Sequence, residues 1–111
     1  MKFRKELLGG TTGTLILSIL SRSPAHGYEI VRAINEESSG LLEWKEATIY
    51  PALHRLEKSG YLKGHWQEIP NGRKRRVYSL TSSGNKALND QSREWEQYSS
   101  IVNRVLGVNH V

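Results

Sequence analysis

The residues best able to do chemistry in this 111-residue chain are basic, and they lie close together. Residues 73–76 are all Arg or Lys, and His54, Arg55 and Lys58 precede them. Guanidinium and ammonium groups donate hydrogen bonds to phosphate oxygens, and Arg also pairs with guanine. Residues 47–80 contain seven basic and two acidic side chains, a net charge of +5, whereas the rest of the chain holds nine of each. This asymmetry favours binding to a polyanion.

Enzymatic and metal chemistry have little support in the sequence. The chain has no Cys, which excludes disulfides, thiolate metal sites and cysteine nucleophiles. The four His residues lack metal-ligand spacing, and no glycine-rich phosphate loop follows a predicted strand. We therefore expect no enzyme, no cofactor and no metal. The longest apolar run, residues 15–20, is far shorter than the roughly 20 residues that span a bilayer. A cytoplasmic protein with no membrane contact is expected.

Six segments must position these basic residues. They are predicted helices over residues 12–22, 26–37 and 46–59, strands over 61–69 and 73–80, and a long helix over 82–106. Asn71-Gly72 between the strands predicts a two-residue hairpin loop. That loop places Trp66 opposite Val77 and Glu68 opposite Arg75. The predicted fold is mostly α with a small β-hairpin, a winged helix-turn-helix over residues 1–80 with a C-terminal dimerisation helix over 81–111, in one continuous unit.

The third predicted helix has an apolar side and a basic side. At 100° per residue, the apolar residues between Ile49 and Leu56 form one stripe. The other side carries no acid and suits a helix lying in the DNA major groove, with Lys58 closest to the phosphates. The candidate DNA-contacting residues of this helix are Thr48, Tyr50, Pro51, His54, Arg55 and Lys58.

The last predicted helix carries a coiled-coil-like seam whose positions alternate in steps of three and four. Its 25 residues would span roughly 37 Å, which is too long to bury the seam on a small three-helix core. We therefore predict a homodimer. The candidate interface residues are Leu88, Gln91, Trp95, Tyr98, Ile101, Val102 and Val105.

Four segments in order, with Gly84 after the last, resemble the PadR family of bacterial transcriptional regulators. They are residues 25–30 (AHGYEI), 47–57 (ATIYPALHRLE), 60–62 (GYL) and 72–81 (GRKRRVYSLT). The chain length matches the short subfamily, which has a single C-terminal helix. The resemblance implies a homodimeric winged-helix repressor, and we expect it to bind a pseudo-palindromic double-stranded DNA site. It implies DNA contacts from Tyr50, Pro51, His54 and Arg55, and from the wing residues Arg73, Lys74 and Arg75.

Two alternatives remain open. Some short members of this family bind flat aromatic drugs between two copies of a tryptophan, and Trp95 stands at the similar position. The other reading is that Trp95 only fills the dimer seam, which is the usual role of an aromatic side chain in such a stripe. For the whole chain, the alternative to a DNA-binding repressor is a winged-helix interaction module that no longer binds DNA. Acids among the outward-facing candidate residues of the third helix, or a deleted wing, would indicate such a module, and the sequence has neither.

Overall fold

The computed structural model describes residues 2–108, so Met1 and residues 109–111 of the predicted domains lie outside it. The elements, in chain order, are α1 (Lys5–Gly9), α2 (Thr12–Arg22), β1 (Ala25–His26), α3 (Gly27–Glu37), α4 (Glu46–Lys58), β2 (Leu62–Glu68), β3 (Lys74–Leu80) and α5 (Ser82–Leu106). The predicted helices agree with α2–α5 to within one residue at each end. The short α1 was not predicted. Among the described residues, no helix has both the length and the apolar character to cross a membrane.

The core forms where α2, α3 and α4 meet. Its largest fully buried side chains come from these three helices, and they are Ile16, Leu17, Ile30, Ile49 and Leu53. Burying one Ile or Leu contributes about 1.5–3 kcal/mol to folding. Because these side chains recur at helical spacing, each helix has one side fixed inward and leaves its polar side on the surface. Packing of these three helices against one another therefore produces the expected helix-turn-helix arrangement.

The sheet has three antiparallel strands in the order β1-β3-β2, one more than the predicted hairpin. The additional strand pairs Ala25 with Tyr78 and His26 with Val77. Two residues are too few to show the alternation by which a strand is predicted. This strand ties the start of α3 to the base of the hairpin. The structure is thus mostly helical with a small sheet, which confirms the predicted winged helix-turn-helix and its long final helix.

The predicted hairpin register is wrong by one residue. Trp66 pairs with Arg76 instead of Val77, and Glu68 pairs with Lys74 instead of Arg75. The loop has three residues, 70–72, closed by hydrogen bonds from the Gly72 amide to the Ile69 carbonyl (3.0 Å) and from the Ile69 amide to the Arg73 carbonyl (2.9 Å).

Proline explains the shift. A two-residue Asn-Gly loop needs an N–H on the residue before it, and Pro70 has none. Pro70 instead takes the second position of a four-residue turn, for which its fixed φ is suited. Gly72 follows with a φ of +80°, the left-handed conformation that this type of three-residue loop requires.

The end of α4 and the start of α5 are joined by hydrogen bonds. The chain leaves α4 through Gly60 at a φ of +83°, as the sequence predicted. The Gly60 carbonyl then accepts hydrogen bonds from the hydroxyls of Thr81 (2.6 Å) and Ser83 (3.0 Å). Thr81 also caps α5 by accepting from the Gly84 amide at 3.0 Å. Gly84 has no room for a side chain, because a Cβ there would collide with the Tyr61 carbonyl oxygen. The long helix therefore begins in fixed contact with the end of α4.

Candidate nucleic-acid interface

The outer side of α4 is uncovered. Ile49 and Leu53 are fully buried on the inner side of this helix, and Ala52 is nearly so. All six candidate contact residues on the outer side are exposed, and they are Thr48, Tyr50, Pro51, His54, Arg55 and Lys58. The apolar stripe therefore orients α4 in the way that its periodicity predicted.

Proline lies inside α4 without ending it. Pro51 is the sixth residue of the helix, close enough to its start that only the first turn is affected. Proline has no N–H, so the carbonyl of Ala47 lacks its usual partner within the helix. Ala47 is exposed, and its carbonyl can be satisfied by solvent or by a bound molecule. Early placement of Pro51 thus preserves the helix and leaves an acceptor near its start.

Tyr50 connects α4 to the start of α3. Its side chain is packed over Gly27, where an added Cβ would lie 3.2 Å from the Tyr50 hydroxyl oxygen. Tyr50 nevertheless remains 48 % exposed. One part of the ring therefore packs against the first residue of α3, and the rest faces solvent.

The loop before α4 is held by one amide side chain. Asn35, near the end of α3, donates from Nδ2 to the Trp44 carbonyl at 2.9 Å and accepts from the Trp44 amide at Oδ1 at 2.7 Å. Trp44 is buried. Asn35 therefore satisfies both backbone groups of a buried residue two positions before α4 begins. Sequence reasoning missed this residue, because it lies nine positions from its partner and outside any motif.

The hairpin tip presents three exposed bases, Arg73, Lys74 and Arg75. Among residues 2–108, the salt bridges do not involve these three, nor His54, Arg55 or Lys58. Arg75 donates from Nε to Gln67 Oε1 at 3.0 Å, a neutral partner that leaves its charge uncompensated. The predicted wing residues therefore keep their positive charge available to a ligand.

Arg76, the fourth base of the run, is placed differently. Its Nη2 lies 2.8 Å from Glu57 Oε2 on α4, and both side chains are only about 30 % exposed. Its guanidinium carbon lies 5.3 Å from the centroid of the Trp66 ring. Glu57 borders the basic side of α4; the sequence prediction counted it among the two acids of residues 47–80 but gave it no role. Its charge is compensated by this ion pair.

The seam of α5 divides into two parts. At its start, Leu88 packs against the core and Gln91 accepts a hydrogen bond from the Thr14 hydroxyl at 2.6 Å. Val102 is half-buried. The remaining candidate interface residues are uncovered: Trp95 is 52 % exposed, Tyr98 64 %, Ile101 52 % and Val105 81 %.

A groove of about 970 Å³ runs between α5 and the segment containing α1 and α2. Its walls are mostly apolar and include Leu7, Leu8, Leu15, Trp95 and Tyr98. No group of His, Cys, Asp or Glu within residues 2–108 could hold a metal ion. The groove is therefore suited to apolar or aromatic partners.

Comparison with known proteins assigns the chain to a family. The profile of the transcriptional regulator PadR-like family matches residues 16–90, which include the core, α4 and the hairpin. The chain belongs to the PadR-like family of transcriptional regulators. Proteins of this family act by binding DNA to regulate transcription and are not enzymes.

Individual relatives agree with this assignment. A transcriptional regulator of Mycobacterium tuberculosis is 43 % identical over 60 residues, which cover 54 % of this chain and 52 % of that protein. The negative transcriptional regulator PadR of Bacillus subtilis is 29 % identical over 75 residues, covering 68 % of this chain and 41 % of that protein. The matched segment thus spans about half, or less, of these two curated relatives.

Solved structures match over nearly their full length. A transcriptional regulator from Clostridium thermocellum has a TM-score of 0.84 at 33 % identity, with 92 % of this chain and 96 % of that chain covered. A PadR-like transcriptional regulator from Bacillus cereus has a TM-score of 0.79 at 29 % identity, with 94 % and 99 % covered. The winged helix and the single long C-terminal helix are therefore shared with known PadR-like structures.

In this PadR-like regulator, Asn35→Ala should destabilise the fold by about 1–3 kcal/mol, because the buried N–H and C=O of Trp44 lose their partner. Urea unfolding followed by circular dichroism measures this loss. Asn89→Ala is the control, since Asn89 lies exposed on α5 and Ala favours a helix there. Equal unfolding midpoints for Asn35→Ala and the wild type would contradict the role given to Asn35.

Proposed function

We propose that the protein is a homodimeric repressor that binds a pseudo-palindromic site in double-stranded DNA. The two copies of α4 enter successive major grooves, whose centres are about 34–36 Å apart. The hairpin tips lie along the flanking phosphates or in the minor groove. Occupying the site blocks transcription, and a change at the dimer seam alters the separation of the two α4 helices and releases the DNA.

One observation carries the DNA-binding part of the proposal. The outer side of α4 and the hairpin tip are both exposed and basic, and within residues 2–108 no acidic side chain forms a salt bridge with their Arg or Lys residues. Charges left without partners are hydrated until phosphate replaces the water and releases counterions. This surface is therefore better suited to DNA than to a neutral protein partner.

The chemistry of each side chain determines which part of the DNA it is assigned to contact. Arg55 and His54 can donate to guanine acceptors or phosphate, and Tyr50 can donate its hydroxyl or contact a thymine methyl group. Lys58, in the last turn of α4, is assigned to phosphate. Thr48 and Pro51, near the start of the helix, are assigned to the DNA backbone. In the wing, Arg73, Lys74 and Arg75 supply charge more than sequence information.

The dimer is supported by the uncovered part of α5. Trp95, Tyr98, Ile101 and Val105 leave apolar surface in water over about three turns, which costs free energy unless a partner covers it. The apolar groove beside them adds further surface of the same kind. A second copy pairing along α5 would bury both.

Repression is favoured by a relative, and ligand release by the position of Trp95. The Bacillus subtilis relative is a negative transcriptional regulator, which favours repression over activation. Trp95 is half-exposed at the wall of the groove, where a flat aromatic ligand could stack on it. Such a ligand would act by changing how the two α5 helices pack.

Selection of duplexes from random DNA tests the proposal most directly. The purified protein, at a stated salt concentration, should enrich an inverted repeat whose half-sites are separated by about one helical turn. Failure of the folded protein to enrich any duplex would refute DNA binding and support the interaction-module alternative.

Replacing Arg73, Lys74 and Arg75 together with Ala should weaken binding to all DNA sequences. It should also lower the salt slope, the dependence of log affinity on log salt concentration, by about 0.9 for each phosphate contact that is lost. Fluorescence anisotropy at several salt concentrations measures both quantities. The triple variant Lys86→Ala, Arg93→Ala, Arg104→Ala removes the same charge from exposed positions on α5 and is the matched control. If the two triple variants have the same slope, the wing makes no specific contribution.

Trp95→Asp should convert the dimer to monomers, because it places a carboxylate in the apolar seam. Sedimentation velocity gives the oligomeric state. Ser100→Asp is the control, since it adds the same charge at an exposed position outside the predicted seam. A Trp95→Asp protein that remains dimeric at micromolar concentration would remove this seam from the proposal.

A further inference from the structure

Arg76 belongs by sequence to the basic run of the wing, yet its surroundings separate it from the other three bases. It is half-buried, whereas Arg73, Lys74 and Arg75 are exposed. Strand alternation separates Arg76 from Arg73 and Arg75, which lie on the other face of the hairpin, since residues opposite each other in a sheet share a face. Lys74 shares the face of Arg76 but lies nearer the hairpin tip. Arg76 is opposite Trp66, on the face that also carries Tyr78 and Gly64. That face is turned toward α4, where Glu57 receives the guanidinium.

Three neighbours determine where the Arg76 side chain lies. The ion pair with Glu57 has an N–O distance of 2.8 Å, and the Trp66 ring lies 5.3 Å from the guanidinium carbon. The third neighbour is Gly64, over which the side chain passes so closely that a Cβ there would lie 2.6 Å from Arg76 Nε. Glycine at position 64 is therefore what lets the guanidinium lie across the strand. Extending this guanidinium outward to phosphate would break its pair with Glu57.

The position of Glu57 gives this arrangement its significance. On the helix, Glu57 lies about 20° from Tyr50, at the border of the surface assigned to DNA. An unpaired carboxylate there would repel phosphate. Burial is the main cause that raises the pKa of the nearby Tyr78 hydroxyl above its usual value; the Glu57 charge adds to this effect and the Arg76 charge opposes it.

We propose that Arg76 is a positioning residue, which neutralises Glu57 and fixes the hairpin to α4, and that it does not itself contact DNA. This proposal rests on the proposed DNA-binding function and deepens it. Only three of the four consecutive bases then contribute to the electrostatic contact, and the fourth sets the angle at which those three are presented. Trp66 and Gly64 belong to the same arrangement, the first as a surface for the guanidinium and the second as the gap that admits it.

A double-mutant cycle with Glu57→Gln and Arg76→Gln tests the proposal. Arg76→Gln alone should weaken DNA binding about tenfold, because Glu57 is left unpaired beside the DNA and the hairpin loses its tie. Adding Glu57→Gln removes the carboxylate and lets two amides pair. The double variant should therefore return to within about threefold of wild-type affinity and keep the wild-type salt slope.

Arg75→Gln is the matched control, because Arg75 is the adjacent base on the same strand and its hydrogen-bond partner is neutral. It should lower the salt slope by about 0.9 per protomer, and Glu57→Gln should not restore it. The salt slope thus distinguishes a residue that contacts phosphate from one that positions the wing.

The outcomes distinguish a positioning role of Arg76 from a direct phosphate contact. A double variant that stays as weak as Arg76→Gln, with a slope lowered by about 0.9 per protomer, would show that Arg76 contacts phosphate and overturn the proposal. Wild-type affinity in Arg76→Gln alone would overturn it as well. If the wild-type protein binds no duplex, the proposed function fails. Urea unfolding of the wild type, the two single variants and the double variant then tests whether Glu57 and Arg76 interact. Additive shifts in the unfolding midpoint would then show that Glu57 and Arg76 do not interact.

Discussion

Burial of the apolar side of α4 is the constraint on which the interface depends. Ile49 and Leu53 are completely buried against α2 and α3, and each contributes about 1.5–3 kcal/mol to folding. Rotating α4 about its axis would expose them and bury Arg55 or Lys58 without partners, which is costly. The core therefore selects the side of the helix that meets solvent. Asn35 adds a second restraint, because it fixes the chain two residues before α4 begins.

The elements could be predicted wherever side-chain periodicity is long enough to be read. The boundaries of α2–α5 agree with the sequence analysis to within one residue, and so does the buried side of α4. The failures have separate physical causes. Strand β1 has two residues and no periodicity, and α1 has only five residues, too few for a helical period to be read. The hairpin register depended on one missing N–H, that of Pro70.

The register error matters because it concealed the role of Arg76. With Val77 opposite Trp66, residue 76 would lie on the other face and join the wing as a fourth free base. The observed pairing places it over Trp66 and within reach of Glu57. No sequence rule could have identified that pair, since its members are 19 positions apart on different elements. Gly64 is the signal that was available: a glycine inside a strand indicates the close approach of another group.

The release proposed above requires that the proposed dimer seam and α4 move together, and the hydrogen bonds at Gly60 supply a rigid connection. The Gly60 carbonyl, at the end of α4, accepts from two hydroxyls in the first turn of α5, and Gly84 packs against Tyr61 without space between them. Because packed contacts of this kind do not deform continuously, a change in the direction of α5 displaces the whole winged helix. A tilt of α5 at the proposed seam would therefore change the separation of two α4 helices in a dimer while leaving each proposed DNA-contacting surface intact. That is the condition under which one protein can bind an operator tightly and still be released from it.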